Sequence, residues 1–182
     1  HDSVERFEGL GVKVVQAHGK FVGPTEVQAG NTIVKAKRVV ISTGSHADTP
    51  LIEGLDTVPY LTNKTIFDLT EKPSKLLIIG GGPTGSELAQ AHRRLGCDVT
   101  IVDIKKILSG EDPELSEIVR TQMLKEGVVI REEIEILCAA RHAEGVTIKI
   151  RENDKEDYIS GSHLLVVSGR VPHLAGLNLD AA

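Results

Sequence analysis

The chain has 182 residues, 40% hydrophobic and 26% charged, with 21 basic against 26 acidic side chains and a formal net charge of −5. That length holds one complete domain plus a remainder, or two small ones, and suffices to bury a core without disulfides or metal. The mild negative charge and the 3% aromatic content argue against a nucleic-acid or anionic-membrane surface, and no apolar run approaches the ~20 residues of a membrane span.

From the start, residues 12–16 read as a short strand, the Gly23-Pro-Thr segment breaks the pattern, and residues 32–35 follow a Gly30-Asn31 turn as another strand. Residues 39–44 (Val-Val-Ile-Ser-Thr-Gly) are almost fully apolar and predict a central strand with a special turn after it. Residues 46–75 contain Pro50, Gly54, Pro59 and Pro73 with little periodicity, and read as a linker. Lys75–Ile79 is a buried-strand run that opens directly into a glycine-rich loop. A helix is expected over 86–95, with Leu88, Ala91 and Leu95 on one stripe and Gly96 as its stop. Asp98–Val102 is a second strand, closed by Asp103. A second helix starts at the N-cap Asp112 with Pro113 in its first turn and ends at Gly127. Strands are then expected at 128–132, 134–139, 146–151 and 164–167, with a hairpin turn at 141–145 and a charged loop from Arg151 to Asp157. This β-α-β-α order, followed by a β-meander and a last apolar strand, predicts an α/β domain of the doubly wound type.

The loop Gly80, Gly81, Gly82, Pro83, Thr84, Gly85 carries the chemistry. Gly80-x-Gly82-x-x-Gly85 follows a strand, opens a helix and is followed, about twenty positions beyond Gly82, by the acidic Asp103. Gly80 permits the tight turn, Gly82 the approach of a pyrophosphate, and Gly85 close packing of helix on strand. The phosphates would sit on the free N–H groups at the helix N-terminus, where the dipole favours negative charge. Asp103 would accept hydrogen bonds from an adenosine ribose. Its carboxylate repels a 2′-phosphate and favours NAD over NADP, whereas Lys105 and Lys106 could attract that phosphate and reverse the choice. His92-Arg93-Arg94 reads as the solvated face of the first helix.

Taken together, three passages resemble the pyridine nucleotide-disulfide oxidoreductases, of the mercuric reductase and dihydrolipoamide dehydrogenase kind. They are the run from Leu61 to Thr70 with Leu76–Gln90, the segment Val39–Ser45, and Val166–Pro172 with Leu177-Asn-Leu. The resemblance implies a partial FAD-binding domain over residues 1–60 and a Rossmann-type NAD(P)-binding domain over 61–167. The start of a returning FAD-domain segment would follow over 168–182, in a three-layer α/β arrangement. It implies an enzyme in which hydride passes from NAD(P)H to FAD, and electrons then to a cysteine pair or a metal-ion acceptor. Glu87 would lie at the nicotinamide–flavin junction, with Thr43, Gly44, Gly169 and Arg170 near the FAD. The full-length parent would be a cytoplasmic homodimer; the chain itself, opening at His1 and with its single Met at 123, reads as a part of it that binds dinucleotide without turning over.

Departures from the family pattern are Thr84, where an aliphatic residue is usual, Ser42 and Ser168 for Ala or Thr, and His173 for Asn. Cys97 and Cys138 do not match the family's redox pair, their spacing suits neither a disulfide framework nor a metal site, and two such thiols fit a reducing compartment. The histidines form no close ligand cluster. Two other readings stay open from the residues: a non-catalytic NAD-sensing module, and a glycine loop that holds another nucleotide such as adenosylmethionine. The flavin-strand resemblance argues against the second.

Overall fold

A computed structural model of the chain describes residues 3–143 and 145–182. Contact density divides it into two compact units, one formed by the residues up to Ser45 with Pro172–Ala182, the other by His46–Val171.

The first unit opens with helix α1 (Val4–Gly9), whose Arg6 N–H is capped by the Ser3 hydroxyl at 3.3 Å. Strands β1 (Gly19–Gly23), β2 (Glu26–Ala29) and β3 (Thr32–Lys35) then form an antiparallel meander. Phe21 is its buried anchor; its N–H donates to the Leu177 carbonyl at 2.8 Å, and its own carbonyl accepts from the Asn178 amide at 2.9 Å. The strand expected at 12–16 is absent, and that stretch runs as exposed coil. The segment 39–44 is likewise not a strand, and Val40 is 86% exposed. A strand is held by its ladder, and among the described residues no strand pairs with this run.

The second unit is entered through β4 (Ser45–Ala47) and left through β12 (Arg170–Pro172). Its centre is a parallel sheet of β5 (Lys75–Ile79), β6 (Asp98–Val102), β7 (Val129–Arg131) and β11 (His163–Val166), in the spatial order β11-β5-β6-β7. Register is set by pairs such as Leu77 with Leu164 and with Thr100. Helix α2 (Pro83–Arg94) connects β5 to β6, and α3 (Pro113–Lys125) connects β6 to β7. The return from β7 to β11 is an antiparallel meander of β8 (Glu135–His142), β9 (Gly145–Glu152) and β10 (Lys155–Gly161).

Side-chain alternation sorts the sheet's two faces. Leu77, Ile79, Val102, Leu164 and Val166 pack with Ile148 and Ile150 of the meander. Leu76, Ile78, Val99, Ile101 and Leu165 pack with Leu88 and Ala89 of α2 and Met123 of α3. Three layers result, meander on sheet on helices, as expected for a parallel sheet whose strands are apolar on both faces.

Several local expectations are corrected. Helix α2 begins at Pro83, not at 86, and its buried residues are Gly85, Ser86, Leu88 and Ala89; Ala91 and Leu95 face solvent. The charged loop expected from Arg151 to Asp157 is the hairpin joining β9 to β10, turned by Asn153 and Asp154 at φ 48° and 60°. Two consecutive left-handed residues are what a type I′ turn needs, and Asn and Asp tolerate them best. Residues 46–75 are not a solvated linker, since Leu55, Val58 and Ile66 are buried in the core. In the stretch 141–145 expected as a turn, strand pairing runs out to His142 and Gly145; Glu144 lies outside the described residues.

Arg93 and Arg94 are more than a solvated helix face. Arg93 donates to the Glu126 carbonyl at 2.9 Å and the Cys97 carbonyl at 3.0 Å, and Arg94 pairs with the Glu126 carboxylate at 2.6 Å. His92 Nδ1 lies 2.8 Å from the Leu88 carbonyl.

Candidate functional site

The strand order fixes where a ligand fits. From β5 the chain goes by way of α2 to β6 on one side, while the meander returns it to β11 on the other. A crevice therefore opens at the carboxyl ends of β5 and β11, the topological switch point where doubly wound sheets bind ligands. The glycine loop lies there.

Each of its glycines has a distinct environment. Gly80 has φ 111°, and a Cβ on it would collide with the Val167 backbone. At Gly85 a Cβ would overlap the Gly80 carbonyl, so helix and strand touch backbone to backbone. At Gly82 a Cβ meets nothing within 4 Å. Gly82 is thus open where Gly80, Gly81 and Gly85 are packed. Gly82 is the N-cap of α2, with Pro83 next, and no side chain caps that helix. By contrast α3 is capped by Asp112, which accepts from Glu114 N–H at 2.9 Å and Leu115 N–H at 3.4 Å. An uncapped helix start beside open space suits an anionic group, which would complete the cap.

Beside it lies a cleft of about 380 Å³ lined by Ala47, Asn63, Gly82, Pro83, Thr84 and the stretch Val167, Ser168, Gly169, Arg170. Its wall is largely apolar, with Thr84 and Asn63 supplying polar groups, the usual make-up of a small-molecule site. Within that lining the Gly169 carbonyl accepts from Asp48 N–H at 3.0 Å.

Asp103 is on the other flank of the glycine loop. One carboxylate oxygen accepts from Gly81 N–H at 2.6 Å and the other from Lys105 N–H at 2.8 Å. The Gly81 carbonyl accepts from Leu108 N–H at 2.8 Å and from the Ser86 hydroxyl at 3.2 Å. Lys105 and Lys106 are exposed. Glu87 projects from the first turns of α2, exposed and outside the cleft's lining, and its side chain makes no hydrogen bond or ion pair to the described residues. Thr43 and Gly44 lie in the first unit, where the Thr43 hydroxyl donates to the His173 carbonyl and the Gly44 carbonyl accepts from His173 N–H at 2.9 Å.

The structure therefore gathers Gly82, Pro83, Thr84, Gly169 and Arg170 around one cleft and sets Asp103 and Lys105 behind the loop. Sequence reasoning missed Ala47 and Asn63. Nothing local marks them, although Asn63 lies within the run from Leu61 to Thr70. Cys97 is fully buried, and burial pushes its thiol pKa above the ordinary value; Cys138 is half-buried on β8. Among the described residues no helix is long and apolar enough to cross a membrane, and no group of His, Cys, Asp and Glu is placed to hold a metal ion.

Comparison with known proteins gives the same lineage from sequence and from shape. Mercuric reductase of Streptomyces lividans is 36% identical over 151 residues, 83% of this chain and 32% of that protein. Mercuric reductase of Bacillus cereus is 31% identical over 180 residues, 98% of this chain and 28% of that protein. Dihydrolipoyl dehydrogenase of Pisum sativum mitochondria is 29% identical over 177 residues, 93% of this chain and 35% of that protein. The crystal structure of LpdA from Mycobacterium tuberculosis superposes with a TM-score of 0.73 at 25% identity, covering 98% of this chain and 41% of that one. The chain spans about a third of the length of the curated relatives it matches. With a family profile matched across residues 2–182, the chain belongs to the pyridine nucleotide-disulphide oxidoreductases, a family of flavoproteins that bind dinucleotides.

Proposed function

We propose that this chain is the pyridine-nucleotide-binding part of an FAD-dependent oxidoreductase and that the cleft at the β5–β11 switch point receives the dinucleotide. The observation that carries this reading is the uncapped N-terminus of α2 with Gly82 facing open space. The pyrophosphate would rest on the first N–H groups of α2, with Gly80 and Gly85 holding the loop against β5 and β11. Asp103 would read the adenosine ribose from behind the loop, and its charge makes NAD(H) the preferred nucleotide over NADP(H). Lys105 and Lys106 are the residues that oppose this preference.

The nicotinamide end would lie in the apolar part of the cleft, against Pro83, Thr84 and Val167. When bound, the nucleotide and FAD supply a hydride-transfer pair. Glu87 has its carboxylate free to meet that junction, and Gly169 and Arg170 would face the flavin. The test is a titration of the purified chain with NADH and NADPH, followed by nicotinamide fluorescence. Saturable binding with NADH the tighter is expected; no saturable binding of either contradicts the reading.

A further inference from the structure

Asp103 does more in this fold than stand ready for a ribose. Both of its carboxylate oxygens already accept backbone N–H groups, Gly81 at 2.6 Å and Lys105 at 2.8 Å. The first of these belongs to the glycine loop itself. The next peptide is gripped through the Gly81 carbonyl, by Leu108 N–H at 2.8 Å and the buried Ser86 hydroxyl at 3.2 Å. Gly81 precedes Gly82, the open residue at the N-cap of α2. The residue that leads into the phosphate cradle is therefore clamped through both its N–H and its carbonyl, and the charged arm of the clamp is Asp103. Hydrogen bonds to an ionised acceptor are the stronger kind, and a loop fixed before its ligand arrives loses less freedom on binding.

We infer that Asp103 is a positioning residue for the pyrophosphate cradle, so that its loss weakens phosphate binding even for ligands with no ribose. This rests on the dinucleotide reading of the loop and deepens it. A carboxylate that only reads the ribose leaves a ribose-free ligand indifferent to its removal. A carboxylate that only repels phosphate makes such a ligand bind more tightly once it is gone.

The probe is inorganic pyrophosphate, titrated into the full chain while the amide resonances of Gly82, Thr84 and Gly85 are followed. Exchange of the Gly81 amide proton with solvent is measured on the same samples without ligand. For Asp103→Ala, pyrophosphate affinity is expected to fall roughly tenfold and Gly81 exchange to quicken by a similar factor, with the far-ultraviolet dichroism unchanged. Unchanged or tighter pyrophosphate binding, or an unchanged Gly81 exchange rate, overturns the inference. If the wild-type chain binds no pyrophosphate, the dinucleotide reading and its phosphate cradle fail together, while Gly81 exchange separately shows whether the clamp exists. Should Asp103→Ala not fold, Ser86→Ala decides. It loosens Gly81 from the flank away from the ribose; a few-fold loss of pyrophosphate affinity supports the clamp, and no loss refutes it.

Discussion

The carbonyl oxygen of Gly80 occupies the space in which a side chain on Gly85 would begin. Strand end and helix start meet there backbone to backbone, and neither can retreat, because Gly80 itself abuts the Val167 backbone. Gly85→Ala is therefore expected to destabilise the fold by about 1–3 kcal/mol, the range for overpacking a core. In a chain of this size each kcal/mol lowers the melting temperature by about 2–4 °C. Thermal denaturation followed by circular dichroism reads the shift, and an unchanged melting temperature contradicts the close approach.

The ends of α2 and α3 are stapled by Glu126. Arg94 beside it, with help from Gln122, holds its carboxyl well below the usual carboxylate range, at about 2. A carboxyl whose pKa is depressed on folding contributes stability that is complete above its unfolded value and is lost as pH falls through the folded one. The contribution is thus present above about pH 4.5 and disappears as pH falls toward about 2. Melting temperatures measured across that window are expected to fall more steeply for wild type than for Glu126→Gln. Parallel curves refute the staple.

The two thiols are expected to behave differently towards an aromatic disulfide reagent. Cys97 is fully buried with its pKa raised, so its thiolate is scarce and sheltered, whereas Cys138 is half-buried on β8. Cys138 is expected to react first, and Cys97 only as fast as the native chain opens. Comparing Cys97→Ala with Cys138→Ala assigns the phases, and a fast phase that survives in Cys138→Ala contradicts the burial of Cys97.

What the sequence revealed was chemistry contained in a few adjacent residues. The run Lys75–Ile79 into Gly80, and the Asp112-Pro113 start of α3, are specified by neighbours along the chain, and both appear as expected. Residues 39–44 failed as a strand because an apolar run needs a ladder partner, which no local pattern supplies. Strand β10 was hidden for the opposite reason. Of its side chains only Ile159 is buried, and its charges are satisfied across strands, Glu156 by Lys149 at 2.6 Å and Asp157 by Arg131 at 3.3 Å. Such pairs make a charged strand look like a loop until register is known. Asn63 reaches the cleft only through the fold of residues 46–75, where Ile66 is buried.

The central claim is that the open glycine of the loop marks the path of a dinucleotide pyrophosphate. The most direct measurement is a paired NADH titration of wild type and Gly82→Val, read by nicotinamide fluorescence beside each protein's melting temperature. A Cβ at position 82 meets nothing within 4 Å, so the fold tolerates the change while the phosphate's path is filled. Saturable binding by wild type, its loss by tenfold or more in Gly82→Val, and near-equal melting temperatures are the predicted result. Equal NADH affinity in the two proteins contradicts the claim and would leave the loop as a turn between strand and helix.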